Sequence, residues 1–138
     1  MSMNWANTDL LFRQVHPNHL EGKNPNSQAF LPSKAHQEKL SVDDASKVTA
    51  EQSWTHFTKN LGLQSAGTWA ISFEEVKSCA EIQVLRDPIL NEGEPSKNNP
   101  AHCLIDFSGL SSKGMKRNHA QRLAISASAR GPRYLPAS

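Results

Sequence analysis

The stretch LLFRQVH, residues 10–16, predicts the first strand of a β-sheet. Side chains alternate across a strand, which places Leu11, Arg13 and Val15 on one face. Pro17 ends the strand, because proline cannot donate to a strand ladder. An arginine between two aliphatic side chains needs an anionic partner if that face is buried, so Arg13 is the first candidate functional residue.

Further strands and helices are predicted after this strand. Alternating apolar residues predict strands, and apolar residues at helical spacing between capping signals predict helices. The predicted strands lie at 27–33, 39–42, 67–73 and 101–110, and the predicted helices at 50–61, 73–82 and 112–130. The two types do not alternate regularly, which disfavours a doubly wound sheet. We therefore expect an α+β fold: a small mixed sheet of four to five short strands with two or three helices packed on it, including a basic C-terminal helix.

The helix at 50–61 carries the clearest signals. Thr49 and Gln52 have the spacing of a capping box, and Gly62 supplies the left-handed residue that often follows a helix. The apolar stripe of this helix is expected in the core. The stripe consists of Trp54, Phe57 and Leu61. Its expected partners on the strands are Trp69, Ile71 and Ile105.

The chain is expected to form a single α+β domain over residues 1–138. Residues 86–100 contain three prolines and one glycine among polar residues, which predicts a flexible Pro/Asn-rich loop. The continuous apolar centre of residues 101–110 favours a central strand that is buried on both faces.

The composition is that of a globular chain with a modest core, since 37% of the residues are hydrophobic and 20% are charged. No run approaches the roughly 20 apolar residues that span a bilayer, and the N-terminal residues lack a basic segment followed by an apolar one. The expected location is therefore the cytoplasm, with no membrane association. Cys79 and Cys103 lack the spacing of a metal site. Two free thiols are expected in a reducing compartment, although a disulfide between them stays open.

Charge is unevenly distributed along the chain. Residues 1–106 hold 9 basic and 13 acidic side chains, whereas residues 107–138 hold 6 basic side chains and no acidic one. The residues of the last helix that are expected to bind a partner are Lys113, Lys116, Arg117 and Arg122. Such a cluster can contact phosphates or acidic side chains. Residues 112–133 therefore predict a binding surface for a protein partner or, alternatively, for a nucleic acid.

A solvated helix face is the alternative explanation of this charge. Cations late in a helix suit its negative C-terminal dipole, which accounts for Arg130 and Arg133. The dipole does not account for Lys113, Lys116 and Arg117, because positive charge at the N-terminus of a helix opposes it.

Asp106 is a second candidate, because it lies within the apolar run of the strand at 101–110. Like Arg13, it needs an opposite charge if it is buried. We expect the two side chains to form an ion pair between neighbouring strands, either as a structural pair or as part of a site. The alternative is an edge strand from which Arg13 extends to solvent.

His16 and His102 are the candidate proton-transfer residues, because histidine titrates near neutral pH. His16 is expected at a strand end with its ring reachable by solvent. His16 and His19 have an HxxH spacing, but Pro17 and Asn18 lie between them and exclude a helical turn, so no metal site is expected. The chain has no glycine-rich phosphate loop and no nucleophile elbow, and no cofactor is expected.

Two hypotheses for the function follow. The first is a small soluble accessory or regulatory protein of prokaryotic type, which is not an enzyme and binds a partner through its basic C-terminal helix. The second is a small enzyme acting on a nucleotide or nucleic-acid phosphate. Arg13 would bind the anion, His16 or His102 would transfer protons, and Asp106 is a further candidate. The enzyme requires Arg13, a histidine and another polar side chain to converge in one concave pocket, whereas the binding module requires only the exposed helix.

Overall fold

The computed structural model describes residues 5–137 and has the α+β fold that the sequence predicts. Seven strands are present in these residues: β1 (Leu10–Val15), β2 (Leu20–Glu21), β3 (Asn24–Pro25), β4 (Lys39–Asp44), β5 (Gly67–Ser72), β6 (Gln83–Arg86) and β7 (His102–Asp106). The α-helices of the same residues are α1 (Ala50–Thr55), α2 (Phe73–Val76) and α3 (Lys113–Arg130).

Five strands form one sheet in the order β5-β1-β4-β7-β6. Every pairing in it is antiparallel, so the sheet has the predicted number of strands but is not mixed. β2 and β3 form a separate two-stranded hairpin. The ladder between β1 and β5 runs along the whole of β1. β1 and β4 pair only at Leu11↔Asp44 and Phe12↔Asp43, so these two strands diverge beyond Phe12.

One face of the sheet forms the hydrophobic core. Partners in an antiparallel register share a face, so the alternation within β1 extends across the whole sheet. The buried core-face residues of the strands are Leu11, Val15, Leu40, Val42, Trp69, Ile71, Cys103 and Ile105. α3 covers this face together with a 3-10 turn at Ser27–Phe30, and it buries Ala120, Leu123 and Ala127.

The opposite face of the sheet is polar, and α1 covers part of it. Gln14 of β1, Asp43 of β4 and Thr68 of β5 project from this face, and all three are buried. Ser53 is the buried residue of α1. The helix therefore rests on hydrogen-bonding side chains and not on the core.

The packing expected for the helix at 50–61 is wrong. Trp54 and Phe57 are half-buried, and Leu61 is 37% exposed. The three expected partners, Trp69, Ile71 and Ile105, are buried on the core face of the sheet. The apolar stripe stays outside the core because α1 lies on the polar face, where the stripe borders a cleft.

The start and the end of this helix are as predicted. Oγ1 of Thr49 accepts from the N–H of Gln52 at 3.0 Å, and Oε1 of Gln52 accepts from the N–H of Thr49 at 2.9 Å. α1 continues as a π-helical turn over His56–Asn60, and Gly62 follows with φ +73°. That left-handed conformation strains any residue with a Cβ, which explains the glycine at this position. The predicted capping box and the predicted glycine stop are both present.

The strand predicted at 27–33 is wrong. Oδ1 of Asn26 accepts from the N–H of Gln28 at 2.9 Å and caps the 3-10 turn at Ser27–Phe30. This turn buries Phe30 against the core face, which explains the apolar signal without a strand.

The helix predicted at 73–82 is too long, and β6 was not predicted at all. The capping box of Ser72 and Glu75 is present, but the helix it starts ends at Val76. β6 follows and pairs with β7, yet only Val84 among its four residues is even half-buried. A strand with so little apolar burial has no strong pattern in the sequence.

A strand is present within the predicted range 101–110, but it is shorter: β7 ends at Asp106 and lies inside the sheet between β4 and β6. Cys103 and Ile105 are buried in it, while the alternate residues are half-buried, so only one face of β7 is fully covered. β4, predicted as a brief strand, is the central strand. Both cysteines of the chain are free thiols, and burial raises the pKa of Cys103 to about 11.

Candidate functional site

A buried hydrogen-bond network joins α1 to the polar face of the sheet. Nε2 of Gln14 donates to the hydroxyls of Ser53 and Thr68, both at 2.9 Å. The Ser65 hydroxyl donates to Oε1 of Gln14 at 2.8 Å, and the Thr68 hydroxyl donates to the carbonyl of Ala50 at 3.0 Å. Buried polar groups are costly when they are unpaired, so this network fixes where α1 sits on the sheet.

Asp43 lies at the end of this network and is only 9% exposed. Its two carboxylate oxygens accept from the Ser53 hydroxyl at 2.7 Å and from Nδ2 of Asn99 at 2.9 Å. Asn99 is held in turn, because its Oδ1 accepts from the N–H of Ala101 at 3.1 Å. Within residues 5–137, no lysine, arginine or histidine lies within ion-pair distance of Asp43, so neutral donors alone stabilise this carboxylate.

A cleft of about 340 Å³ opens over the polar face, between the π-helical turn after α1 and the loop that connects β6 to β7. Its walls are largely apolar and include Phe12, Phe57, Leu61, Leu63 and Ile89. Its polar lining includes Ser41, Asp43, Asn91, Asn99 and His102. Nδ2 of Asn60 donates to the carbonyl of Ser96 at 2.8 Å and ties the loop to the turn across the cleft.

His102 is held by both ring nitrogens. Nδ1 lies 2.9 Å from the main-chain carbonyl of Asp87 and 3.1 Å from its carboxylate, and both groups accept hydrogen bonds. Nδ1 therefore carries the proton, which leaves Nε2 of the neutral ring as the acceptor. The Ser41 hydroxyl lies 3.1 Å from Nε2 and donates to it. The side chain of His102 is 12% exposed and that of Asp87 is 50% exposed.

Arg13 also lines the cleft, but it has no carboxylate partner among residues 5–137. Its Nε donates to the carbonyl of Ala29 at 2.7 Å, and its Nη1 donates to the carbonyl of Ser41 at 3.0 Å. The side chain therefore bridges β1 and β4 where their ladder has ended. Burial lowers the pKa of the Arg13 guanidinium to about 10, so it stays charged at neutral pH.

The predicted ion pair between Arg13 and Asp106 is wrong. β4 lies between β1 and β7, and the two side chains project from opposite faces of the sheet. Asp106 instead accepts from the N–H of Ser108 at 2.9 Å, opposite Lys39. Partial burial raises the pKa of Asp106, but the hydrogen bonds from Ser108 and the charge of Lys39 outweigh it, so the pKa is lowered.

The buried carboxylate of the core face is Asp44, which is 2% exposed. Nη1 of Arg86 donates to it at 2.8 Å, and the N–H and hydroxyl of Ser46 donate at 2.9 and 2.8 Å. Burial raises the pKa of Asp44, but these partners lower it by more, and the net shift is downward. Arg86 also stacks on Trp5, with 3.9 Å between the guanidinium carbon and the ring centre.

His16 lies at the end of β1, half-buried and away from the residues that line the cleft. Its Nδ1 accepts from the N–H of Asn18 at 3.0 Å, which caps a 3-10 turn, and its Nε2 lies 3.0 Å from Oε1 of Gln64. The rings of His16 and His19 are 5.7 Å apart. Burial, with the charges of His16 and Arg13, lowers the pKa of His19. Of the four residues proposed for an enzyme site, the fold thus brings only Arg13 and His102 to one cleft.

The basic residues of α3 do not form one surface. Arg117 and Arg122 are five positions apart, which puts their side chains about 140° apart around the helix. Arg122 lines a separate groove with Glu75. Nη2 of Arg130 pairs with Glu75 at 2.8 Å and its Nη1 donates to the carbonyl of Ala70 at 2.9 Å, so Arg130 has a structural role.

The first turn of α3 meets a cation from another element. A groove of about 420 Å³ is bordered by Lys34, Lys113, Lys116 and Arg117, and Glu38 also lines it. Lys116 pairs with Glu38 at 2.9 Å. Lys34, which the sequence did not assign to this surface, therefore replaces Arg122 as the fourth member of the cluster.

Several residues of the cleft, and Asp87, which bonds His102 from outside the lining, were not predicted as functional. Ser41 and Asp43 read as part of a brief strand and an acidic turn, and Asp87 and Asn91 as part of a polar loop. The one available signal was the pair of adjacent carboxylates in VDD, residues 42–44. Successive side chains of a strand point to opposite faces, so one of the two carboxylates has to lie on the face away from the core.

No protein-family model, curated protein or solved structure matches this chain. Residues 5–137 contain no group of three or more histidine, cysteine, aspartate or glutamate side chains arranged to hold a metal ion. None of the helices in that range has the length and apolar character needed to cross a membrane. A function for the chain has to be inferred from its own geometry.

Proposed function

We propose that this protein is a small enzyme that acts on a small-molecule substrate in the cleft over the polar face of the sheet. The observation that carries the proposal is convergence: Ser41 and His102 lie on the polar face and line one cleft together with the buried carboxylate of Asp43. A histidine with a partner on each ring nitrogen is oriented for proton transfer, which is what a general acid or base requires.

The shape of the cleft supports a small substrate. Ligand sites are typically concave and mostly apolar, with a few placed polar groups, and they start at about 300 Å³. A cleft of about 340 Å³ lies at the lower end of that range. The apolar walls suit the body of a substrate, and the Ser41–His102 end suits its reacting group.

A phosphate-bearing substrate has weaker support than proton transfer by His102. The anion-binding role was assigned to Arg13, whose Nε and Nη1 already donate to the carbonyls of Ala29 and Ser41. Lys97, another cation that lines the cleft, pairs with Glu94 at 3.2 Å. An incoming phosphate would compete with these contacts.

The proposal is tested with four chromogenic substrates: p-nitrophenyl butyrate, p-nitrophenyl phosphate, the phosphodiester bis(p-nitrophenyl) phosphate and p-nitrophenyl β-glucoside. We expect turnover of at least one of them, and we expect His102→Gln to lower it by about 100-fold, the usual range for loss of a general base or acid. His36→Gln is the matched control, because His36 is exposed and lies outside the cleft. Absence of turnover for all four substrates would count against an enzyme.

A protein or nucleic-acid partner at the basic groove is the second candidate. The observation that favours it is that Lys34 lies beside Lys113 and Arg117, so positive charge from two elements borders the same groove. Association with a polyanion releases counterions, and each phosphate contact contributes about 0.9 to the logarithmic salt slope.

This second candidate is tested with the triple variant Lys34→Gln, Lys113→Gln and Arg117→Gln. Binding to a duplex DNA 20-mer, followed by fluorescence anisotropy at low salt, should weaken, and the salt slope should fall by roughly 2–3. Arg122→Gln is the control, because this residue lies on another flank of α3 and should leave the binding unchanged. If unmodified protein binds no DNA, an acidic protein partner is the remaining form of this candidate.

A further inference from the structure

Ser41 and His102 line the cleft, and Asp87, which lies behind His102 and outside the lining, completes one hydrogen-bonded chain with them. The distances are 3.1 Å from Ser41 Oγ to His102 Nε2 and 3.1 Å from His102 Nδ1 to the Asp87 carboxylate. In a catalytic triad, the base bonds the nucleophile through one ring nitrogen and the orienting carboxylate through the other. Triads are recognised by this geometry and not by position in the sequence.

The chain offers a second serine–histidine pair for comparison. The Ser33 hydroxyl lies 2.8 Å from Nδ1 of His36, so a short contact of this kind also occurs without any site. Two differences separate the pairs. No carboxylate is bonded to the other nitrogen of His36 within residues 5–137, and Ser33 does not line the cleft. In the other pair, Ser41 lines the cleft, and the second ring nitrogen of its partner His102 is bonded to the Asp87 carboxylate.

We propose that Ser41 is the nucleophile of a carboxylic-ester hydrolase, with His102 as its general base and Asp87 as the residue that orients His102. This inference rests on the proposed function, because the ester occupies the same cleft. The fixed tautomer of His102 leaves Nε2 free to take the hydroxyl proton, which is the step that activates a serine.

The reaction needs only the ester and water. Oγ of Ser41 bonds to the acyl carbon while Nε2 of His102 takes its proton, and the carbonyl oxygen becomes an oxyanion. The oxyanion re-forms the carbonyl, the ester C–O bond breaks, and the leaving alkoxide takes the proton from His102 and departs as an alcohol. Water then attacks the acyl-serine and gives a proton to His102, which returns it to Oγ as the carboxylic acid leaves.

The side-chain amide of Asn91 is the donor we assign to the oxyanion. Its Oδ1 accepts from the N–H of Glu94 at 2.9 Å, which fixes the orientation of the amide. Asn91 lines the cleft, and its Nδ2 has no hydrogen-bond partner among residues 5–137, so this donor is free for a substrate. An amide donor that is positioned before the reaction is the kind of group that stabilises such an oxyanion.

The first experiment measures hydrolysis of p-nitrophenyl butyrate. Ser41→Ala and His102→Ala should each lower kcat/KM by at least about 100-fold, and the double variant should be no worse than either alone, because residues of a triad act as a unit. Asp87→Asn should lower kcat more than it changes KM, since it alters the tautomer of His102 and not the binding of the ester. Ser33→Ala should keep the unmodified rate. Equal losses in Ser33→Ala and Ser41→Ala would overturn the proposal.

The second experiment identifies the nucleophile directly. Diisopropyl fluorophosphate should add one diisopropylphosphoryl group to the unmodified protein, on the peptide that contains Ser41, and none to Ser41→Ala. Peptide mass spectrometry that finds no label on Ser41, or an equal label on Ser33, would overturn the proposal. Ser41 is exposed, so thermal melts should show that Ser41→Ala folds normally.

The two proposals fail in different ways. If p-nitrophenyl butyrate is not hydrolysed and Ser41 is not labelled, but the phosphate monoester is turned over in a manner that depends on His102, the ester hydrolase is overturned and the enzyme stands. If no substrate is turned over and no label appears, both are overturned.

Discussion

The two faces of the five-stranded sheet are both covered, but by opposite kinds of contact. On the core face, Trp69 and Ile71 meet the buried alanines and leucine of α3. On the polar face, Gln14 and Asp43 meet α1 through hydrogen bonds to Ser53. The core face gains stability from apolar area removed from water, at about 25 cal/mol per Å². Each buried polar group of the other face contributes little net stability and becomes costly when it loses its partner.

This difference separates stability from the site. The cleft opens only on the polar face, where α1 and the β6–β7 loop leave space between them. A face held by directional hydrogen bonds can keep a cavity, because its covering elements do not have to close on the sheet to be stabilised. An apolar face of the same size would lose close packing wherever it left such a space.

The largest expected effect compares the two tryptophans of these faces. Trp69 is 1% exposed, and Trp69→Ala should lower the free energy of unfolding by about 3–5 kcal/mol. Trp54 is half-buried, donates to the carbonyl of Ser65 at 3.1 Å and contacts Tyr134. Trp54→Ala should cost only about 1–2 kcal/mol. Urea unfolding measures both, and equal losses would contradict the distinction between the faces.

The next effect tests whether hydrogen bonds hold the polar face. Asp43→Ala leaves the Ser53 hydroxyl and the Asn99 amide without their acceptor and should cost about 2–3 kcal/mol. Asp43→Asn keeps one acceptor oxygen and should cost less. Asp87→Ala is the matched control, because this carboxylate is 50% exposed and its loss should cost at most about 0.5 kcal/mol. Urea midpoints that do not separate Asp43→Ala from Asp87→Ala would show that the network contributes nothing.

The two arginines of the sheet sharpen the comparison further. Arg13→Met removes donors from the carbonyls of Ala29 and Ser41 and should cost about 1–2 kcal/mol. Arg86→Met leaves the buried carboxylate of Asp44 without its countercharge and should cost more than Arg13→Met. Thermal and urea unfolding of both variants give the order. The reverse order would contradict the ranking of a buried charge pair above two hydrogen bonds to main-chain carbonyls.

The smallest effect concerns the one histidine buried in the core face. His119 is 2% exposed, and neither of its ring nitrogens has a well-formed hydrogen bond among residues 5–137. Burial lowers its pKa below the usual 6.5; the charge of Arg122 adds to this, and the main chain of Val76 offsets it only in part. As the pH falls below 6.5, the unfolded chain therefore binds more protons than the folded one, and the free energy of unfolding falls.

His119→Leu should make the free energy of unfolding less sensitive to pH below 6.5, as measured by urea unfolding in a series of buffers. Some dependence will remain, because the pKa of His19 is also lowered. The paired carboxylates of Asp44 and Glu75 have lowered pKa values and contribute only further down, below their usual 3.8 and 4.5. His36→Gln is the exposed control. An unchanged pH profile for His119→Leu would show that His119 is protonated without cost in the core.

The parts of the fold that could be predicted from the sequence carry local signals. The capping box at Thr49 starts a helix where the spacing of the side chains predicted it, and α2 and α3 begin within one residue of their predicted starts. β1 and β5 lie where the alternation of side chains predicted strands. The errors fall where a local signal was weak or ambiguous: the range 27–33 forms a 3-10 turn at Ser27–Phe30, and β6 buries neither of its two apolar residues fully.

The candidate site was predictable only in its single residues. Arg13 and His102 were chosen for their chemistry, and both line the cleft. Their partners were not predicted. The sequence favoured Asp106 as the countercharge of Arg13, but in the fold β4 lies between β1, which carries Arg13, and β7, which carries Asp106. Ser41 is 61 residues from His102 and Asp87 is 15 residues from it, and no local pattern links positions so far apart.

The sequence by itself determined the α+β class, the starts of the three α-helices, the positions of β1 and β5, and the concentration of positive charge in the last helix. These properties depend on residues within a turn or two of one another, where propensity, capping and alternation act. The tertiary structure alone decided which face α1 covers, which groups Arg13 bonds, and that His102 lies between Ser41 and Asp87. Those outcomes depend on the strand order β5-β1-β4-β7-β6 and on its register, and a register shift of one residue would send each of these side chains to the opposite face.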